Sequence, residues 1–177
     1  MIKNGDVIFT VGQNEKNISS LSSGYDGFSY YHCSLYIGNN QIIEATPDNG
    51  VSISSFSKYK DSVNLVARLD CTESFFEKVI ACARTHIGKS YNHLYMPDTD
   101  TLYCSELIHK VFCQANNIKP IFSPQYLNYI NEEEYIISDY WIKLYESNNL
   151  SVPHGKEGSH PNNLSLDRAF NHRFFIS

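Results

Sequence analysis

Short apolar runs, some alternating with polar residues, are set off by turn residues through much of the first 70 positions, and beyond residue 72 apolar residues recur at three- and four-residue steps. Asp6-Val7-Ile8-Phe9-Thr10, set off by Gly5, reads as a short strand. Residues 13–27 are polar and rich in Ser, Asn and Gly, which predicts a loop. Cys33-Ser34-Leu35-Tyr36-Ile37, the turn Gly38-Asn39-Asn40 and the return Gln41-Ile42-Ile43-Glu44-Ala45 predict a hairpin. Pro47-Asp48-Asn49-Gly50 is a turn, and Val51-Ser52-Ile53 and residues 63–68 read as further strands. The longer period then starts. Thr72 can cap a helix with Glu73 in its first turn, Phe75, Phe76, Val79, Ile80, Ala83 and Ile87 supply an apolar face, and Gly88 is a natural stop. A polar loop at 97–101 leads to a second helix opening at Cys104. Leu107, Ile108, Val111 and Phe112 form its buried face, and Asn116, Asn117 and Pro120 end it.

Past Phe122 the pattern weakens. Glu132-Glu133-Glu134 reads as a solvated loop. Tyr140-Trp141-Ile142-Lys143-Leu144-Tyr145 suits a strand or a short helix. From Ser151 on, Pro153, Gly155, Gly158 and Pro161 mark an irregular tail. No internal repeat and no linker divides the chain, so one domain over residues 1–177 is expected, long enough to bury a real core.

Composition narrows the function classes. A net charge of −5 argues against a nucleic-acid surface, which needs clustered Lys and Arg. No apolar run approaches the roughly 20 residues of a membrane span. The first residues lack the apolar core of a signal peptide, so a cytoplasmic protein is expected. The five cysteines are odd in number and include no CxxC pair, which argues against a zinc site or a disulfide framework. Cys82 and Cys113 fall within helical apolar patterns and read as buried thiols. The 14% aromatic share fits a strand-rich core and a groove lined with rings.

Tyr103-Cys104-Ser105-Glu106-Leu107-Ile108 is the stretch richest in chemistry. A thiol at a helix N-terminus faces the positive end of the macrodipole and unpaired N–H groups, which favour thiolate and could hold a developing oxyanion. A thiol nucleophile needs a base. His109 lies about 140° around the helix from Cys104 and is rejected. His86 is expected on the polar side near the end of the preceding helix, and His154, His160 and His172 in solvent. His93, in the loop before the Cys104 helix, stays open. His32 heads a central strand and can present its ring to the sulfur. The base in turn needs an orienting partner, and register decides whether Glu44 can serve. With a two-residue turn, Glu44 pairs with Leu35 and faces away. With Gly38-Asn39-Asn40 as the loop, it pairs with Ser34 on the His32 face, the register favoured here. A zinc site of Cys104, His93 and His32 is conceivable but lacks paired ligand spacing.

Five pieces stand in order: Gly5-Asp6-Val7-Ile8, His32 through Gly38, Ile43-Glu44-Ala45 with Gly50-Val51, Gly88-Lys89-Ser90-Tyr91, and Tyr103-Cys104-Ser105-Glu106-Leu107. Together they resemble the NlpC/P60 superfamily of papain-like cysteine hydrolases. They resemble more narrowly its circularly permuted YiiX/YebB-like branch, with lecithin retinol acyltransferase as a distant relative. The tail from Val152 to Asn162 resembles the same branch. The resemblance implies an α+β fold in which an antiparallel, partly barrel-like sheet packs on the helix carrying the nucleophile. It implies Cys104 as nucleophile, His32 as base, Glu44 as the polar third member and Tyr91 beside the oxyanion site, with no metal or other cofactor. It departs from the pattern at Asn92, where an acidic residue is frequent, and at Cys33, where a small aliphatic is common. The implied activity is hydrolysis of an amide, in a cell-wall-type or other small peptide, through a thioester. Lipid acyl transfer is an alternative that calls for an apolar anchor not seen in the sequence. A non-catalytic binding module is another, and the presence of both Cys104 and His32 argues against it.

Overall fold

The structure, a computed structural model, describes residues 1–12, 21–97, 99–131 and 135–176. The expected loop at 13–20, residue 98 of the 97–101 loop and the Glu132-Glu133-Glu134 run lie outside the described residues.

Among the described residues six strands form one antiparallel sheet: β1 (Val7–Val11), β2 (Tyr30–Gly38), β3 (Gln41–Thr46), β4 (Gly50–Ser55), β5 (Asn64–Arg68) and β6 (His172–Ile176). Their order across the sheet is β4-β3-β2-β1-β5-β6, with β4 and β6 as edges, so the sheet is open. Among the described residues four α-helices follow or interrupt the strands: α1 (Glu73–Arg84), α2 (Cys104–Ala115), α3 (Asp139–Glu146) and α4 (Pro161–Ser165).

The sheet is covered on both faces at its centre. Val7, Phe9, Leu35, Ile43, Leu65 and Ala67 point to the side where Phe76 and Val79 of α1 and Leu107, Ile108 and Val111 of α2 complete the main core. Ile8 and Ile42 point the other way and pack with Tyr59, Tyr36 and Phe56. This double burial is why β1 reads as an unbroken apolar run instead of an alternating one. A third cluster, Leu127, Tyr129, Trp141 and Tyr145, anchors α3. In it the Tyr129 and Tyr145 hydroxyls lie 2.7 Å apart and Tyr145 donates to the Leu94 carbonyl at 2.7 Å.

Local chemistry sets the boundaries. The Thr72 hydroxyl accepts from the Phe75 N–H at 3.3 Å and opens α1. Because α1 ends at Arg84, Ile87 falls in the following turn and is exposed, not part of the buried face. Gly50 has φ +59, and a Cβ there would meet the Lys89 carbonyl oxygen at 2.1 Å. That approach lets the Val51 N–H donate to the Lys89 carbonyl at 2.8 Å, fastening β4 to the segment after α1. Asp6, 1% exposed, takes both arms of Arg68 at 2.6 and 2.7 Å and ties the N-terminal segment to β5.

Two expectations are corrected. The tail is ordered: His160 caps α4, and β6 pairs with β5 from Asn64–Ile176 to Arg68–His172. A five-residue helix and an edge strand made largely of Arg, Phe and His carry too little periodicity to stand out. Cys82 and Cys113 are half-buried, each at the margin of its helix's apolar face. Of the strand or short helix that residues 140–145 suit, the structure forms the helix, as part of α3.

Candidate active site

The site grows from a peculiarity of β2. This strand pairs with β1 along much of its length but with β3 only over residues 35–38. Tyr36 directs both its N–H and its C=O toward the Gly5–Asp6 backbone, at 2.9 Å each. Antiparallel alternation then turns the N–H groups of odd-numbered residues toward the opposite edge. Near Cys33 that edge has no β3 ladder, and the first turn of α2 fills it.

Cys104 is the first residue of α2, and its sulfur lies against this edge. Tyr103 precedes the helix. Its N–H donates to Glu106 Oε2 at 3.3 Å, and its hydroxyl accepts from the Ser159 N–H at 2.9 Å, so the tail braces the helix start. The N–H of Cys104 is among the first-turn donors that have no partner within the helix.

His32, 6% exposed, hydrogen-bonds the Cys104 sulfur and the Glu44 carboxylate. Its Nε2 stands 2.7 Å from Glu44 Oε2, which leaves Nδ1 for the sulfur. Glu44 is fully buried and fully engaged. The Tyr59 hydroxyl donates to Oε2 at 2.7 Å, and the Lys58 ammonium binds Oε1. Both donors come from the 3-10 turn Phe56–Tyr59 after β4. The Tyr59 ring also lies 5.5 Å from the imidazole at 33°.

The hairpin register explains how Glu44 reaches this face. Asn39 and Asn40, at φ 51 and 58, form a two-residue turn flanked by the pair Gly38–Gln41. That turn alone would place Glu44 opposite Leu35. A bulge between Tyr36 and Gly38 shifts the register, so Leu35 faces Ile43 and the same ladder continued places Ser34 opposite Glu44. Gly38, at φ +93, supplies the bulge conformation.

The charges are mutually adjusted. Burial alone would lower the His32 pKa, but the bonds to Cys104 and Glu44 outweigh it and raise it to about 9. Burial would raise that of Glu44, yet His32 and then Lys58 bring it down to about 2. The Cys104 thiol is drawn well below its ordinary value by a hydrogen bond from Cys33, against burial and together with His32. The arrangement favours a thiolate–imidazolium pair.

Tyr91 stands nearby. Its backbone bridges Leu102 in parallel, and its phenol hydrogen-bonds Tyr95. Burial and then the charge at Cys104 raise its pKa. His93 is exposed, its ring edge-on to Tyr91 at 5.1 Å, and does not join Cys104. Asn92 is buried in support of the loop, bonding the Met96 backbone at 2.8 and 3.2 Å. Two other histidine expectations are corrected. His86 is buried against Gln114 of α2 at 2.9 Å instead of lining a polar side. His160 is buried, not solvated, and its Nδ1 accepts the Asn162 N–H at 3.2 Å; burial pushes its pKa down to about 3. His109 packs on Phe122 at 5.2 Å and burial lowers its pKa to about 4. Among the described residues no group of three His, Cys, Asp or Glu side chains stands close enough to hold a metal ion.

Sequence reasoning missed three participants. Tyr59 and Lys58 lie in an irregular stretch with no periodic signal. Cys33 was visible only as an odd residue beside the histidine.

The model of the C92 family, described as permuted papain-like amidase enzymes of the YaeF/YiiX type, matches residues 1–140. The chain belongs to this family. Its members' thiol-amidase character is thereby that of the chain in general terms. The crystal structure of metalloprotein YiiX from Escherichia coli O157:H7 is similar to it, with a TM-score of 0.73 and 18% identity over 99% of this chain and 96% of that one. At this identity the likeness concerns the fold, and the shared α+β architecture is the permuted papain-like one. No curated protein sequence matches the chain. None of the helices among the described residues is long and apolar enough to cross a membrane.

Proposed function

We propose that this C92 protein is a cysteine amidase that cleaves an amide in a small peptide through a thioester, with Cys104, His32 and Glu44 as its triad. One observation carries the reading: a sulfur at a helix N-terminus bonds an imidazole whose other nitrogen is held by a fully buried carboxylate.

The Cys104 thiolate attacks the carbonyl carbon. The developing oxyanion is met by the unpaired N–H of Cys104, with Tyr91 alongside. The imidazolium of His32 gives its proton to the departing amine. Water then enters, His32 takes one of its protons, and attack on the thioester releases the acid. Glu44 fixes the ring through Nε2 and stabilises the imidazolium, while Tyr59 and Lys58 fix Glu44. The similar E. coli protein is described as a metalloprotein. The described residues here do not fit such a centre, and no step is assigned to a metal.

The test pairs fluorogenic peptidyl amides with intact-mass detection of an acid-quenched acyl adduct. Release of the amine should fall at least ~10³-fold in Cys104→Ser, and the adduct should map to Cys104. Absence of any Cys104-dependent turnover or adduct, with Cys104 alkylated only near the ordinary thiol pKa of about 8.5, would overturn the reading.

A further inference from the structure

Successive residues of a strand point to opposite faces, yet both His32 and Cys33 reach one sulfur. They can do so because the Cys104 sulfur sits at the unpaired edge of β2, between the two faces. His32 approaches from the Tyr59 side. Cys33, fully buried, approaches from the core shared with α2. The Cys33 thiol and its backbone N–H both hydrogen-bond the Cys104 sulfur.

We propose that Cys33 is a positioning residue for the nucleophile: its S–H donates to the Cys104 thiolate, its N–H donates beside it, and together they fix both the charge and the direction of that sulfur. The inference rests on the reading of Cys104 as nucleophile. The two thiols are not equivalent. Cys104 has the helix N-terminus and the His32 ring, whereas Cys33 is enclosed among Leu35, Phe9 and their neighbours, where a second anion is penalised. Cys33 therefore keeps its proton and serves as donor. The directions of titration agree: burial and then Cys104 push the Cys33 thiol up, and the Cys33 bond is foremost among the causes that bring Cys104 down.

Other ionisable groups facing Cys104 leave this effect readable. Tyr31 on β2, Tyr59 after β4, Tyr91 and Tyr95 before α2 and Tyr103 at its cap are phenols that burial raises, so they stay neutral through the useful range. Glu44 acts on the sulfur through His32. Glu106, in the first turn of α2, is raised by burial and is common to every variant compared below.

The experiment measures the iodoacetamide alkylation rate of Cys104 against pH by peptide mass mapping in the full chain. Cys33→Ala and the near-isosteric Cys33→Val lack a side-chain donor, while Cys33→Ser keeps one. A weak S–H donor to a charged acceptor corresponds to about one pH unit. Both donorless variants should move the alkylation midpoint up by about that much, a roughly tenfold slower reaction at acid pH, with the serine variant near the wild type. If one donorless variant does not fold, the other still decides. Unmoved midpoints in the folded donorless variants, or a serine variant displaced as far as they are, would overturn the proposal. A wild-type Cys104 that reacts only near the ordinary thiol pKa would instead sink the nucleophile reading beneath it.

Discussion

Replacing Glu44 with Gln probes the buried end of the proposed triad. The carboxylate is fully buried and receives His32, Tyr59 and Lys58. Its pKa is about 2 in the folded chain against an ordinary 4.5, so its ionised form contributes about 3 kcal/mol to folding at neutral pH. A glutamine offers one acceptor oxygen and turns an NH₂ toward donors that it cannot satisfy. Because the folded pKa is depressed, the contribution is full above pH 4.5, and it vanishes as pH falls through 2. Urea unfolding of wild type and Glu44→Gln should therefore differ by about 3 kcal/mol from pH 5 to 7, a midpoint displacement of about 1–2 M for a typical urea slope. Below pH 4.5 the difference should shrink by about 1.4 kcal/mol per pH unit. A gap that is absent at pH 6, or one that keeps its size at pH 2.5, would refute the claim that the buried charge is what the site holds.

Other consequences are open to direct measurement. His32 has its pKa raised to about 9, so kcat/KM should decline as pH rises through about 9, and His32's own contribution to stability, full below 6.5, should be lost over the same rise; stopped assays across pH 7–10 check the first. Asp6→Asn breaks the two-armed pair with Arg68, which is 19% exposed, and should cost about 2 kcal/mol in urea unfolding while leaving alkylation of Cys104 unchanged. Gly50→Ala combines φ +59 with a Cβ contact at 2.1 Å; about 3 kcal/mol of strain and displacement should lower Tm by roughly 6–12 °C. Tyr91→Phe should reduce kcat by about 10- to 100-fold with little change in KM if its hydroxyl serves the oxyanion.

Much of the sheet and both long helices could be read from the sequence, because β1 to β5 are short apolar or alternating runs set off by turn residues and the α1 and α2 faces bury residues at three- and four-residue steps. The tail could not. β6 is half exposed along most of its length and α4 spans less than two turns, so neither imposes a pattern. The histidines divide in the same way. His109 was separable by helical angle, since angle follows from counting residues. His86 and His160 were misplaced because their burial depends on Gln114 and on the Asn162 N–H, which sequence spacing does not bring near. Tyr59 and Lys58 escaped notice for the same reason, being partners of Glu44 delivered by a turn.

The hairpin shows how narrowly such a site is determined. Turn chemistry at Asn39-Asn40 argues for one register and a buried Glu44 argues for the other, and a single bulge before Gly38 satisfies both. Were Ile37 instead paired in the regular ladder, Glu44 would stand opposite Leu35 and face the helix-side core, away from His32, where an ionised carboxylate has no donors waiting. With the bulge, the carboxylate meets His32, Tyr59 and Lys58, and the imidazole is held by one nitrogen. The other nitrogen faces a sulfur that α2 can present only because β3 leaves the edge of β2 open near Cys33. Local turn sterics, strand splay and the start of a helix are thus one constraint at Cys104.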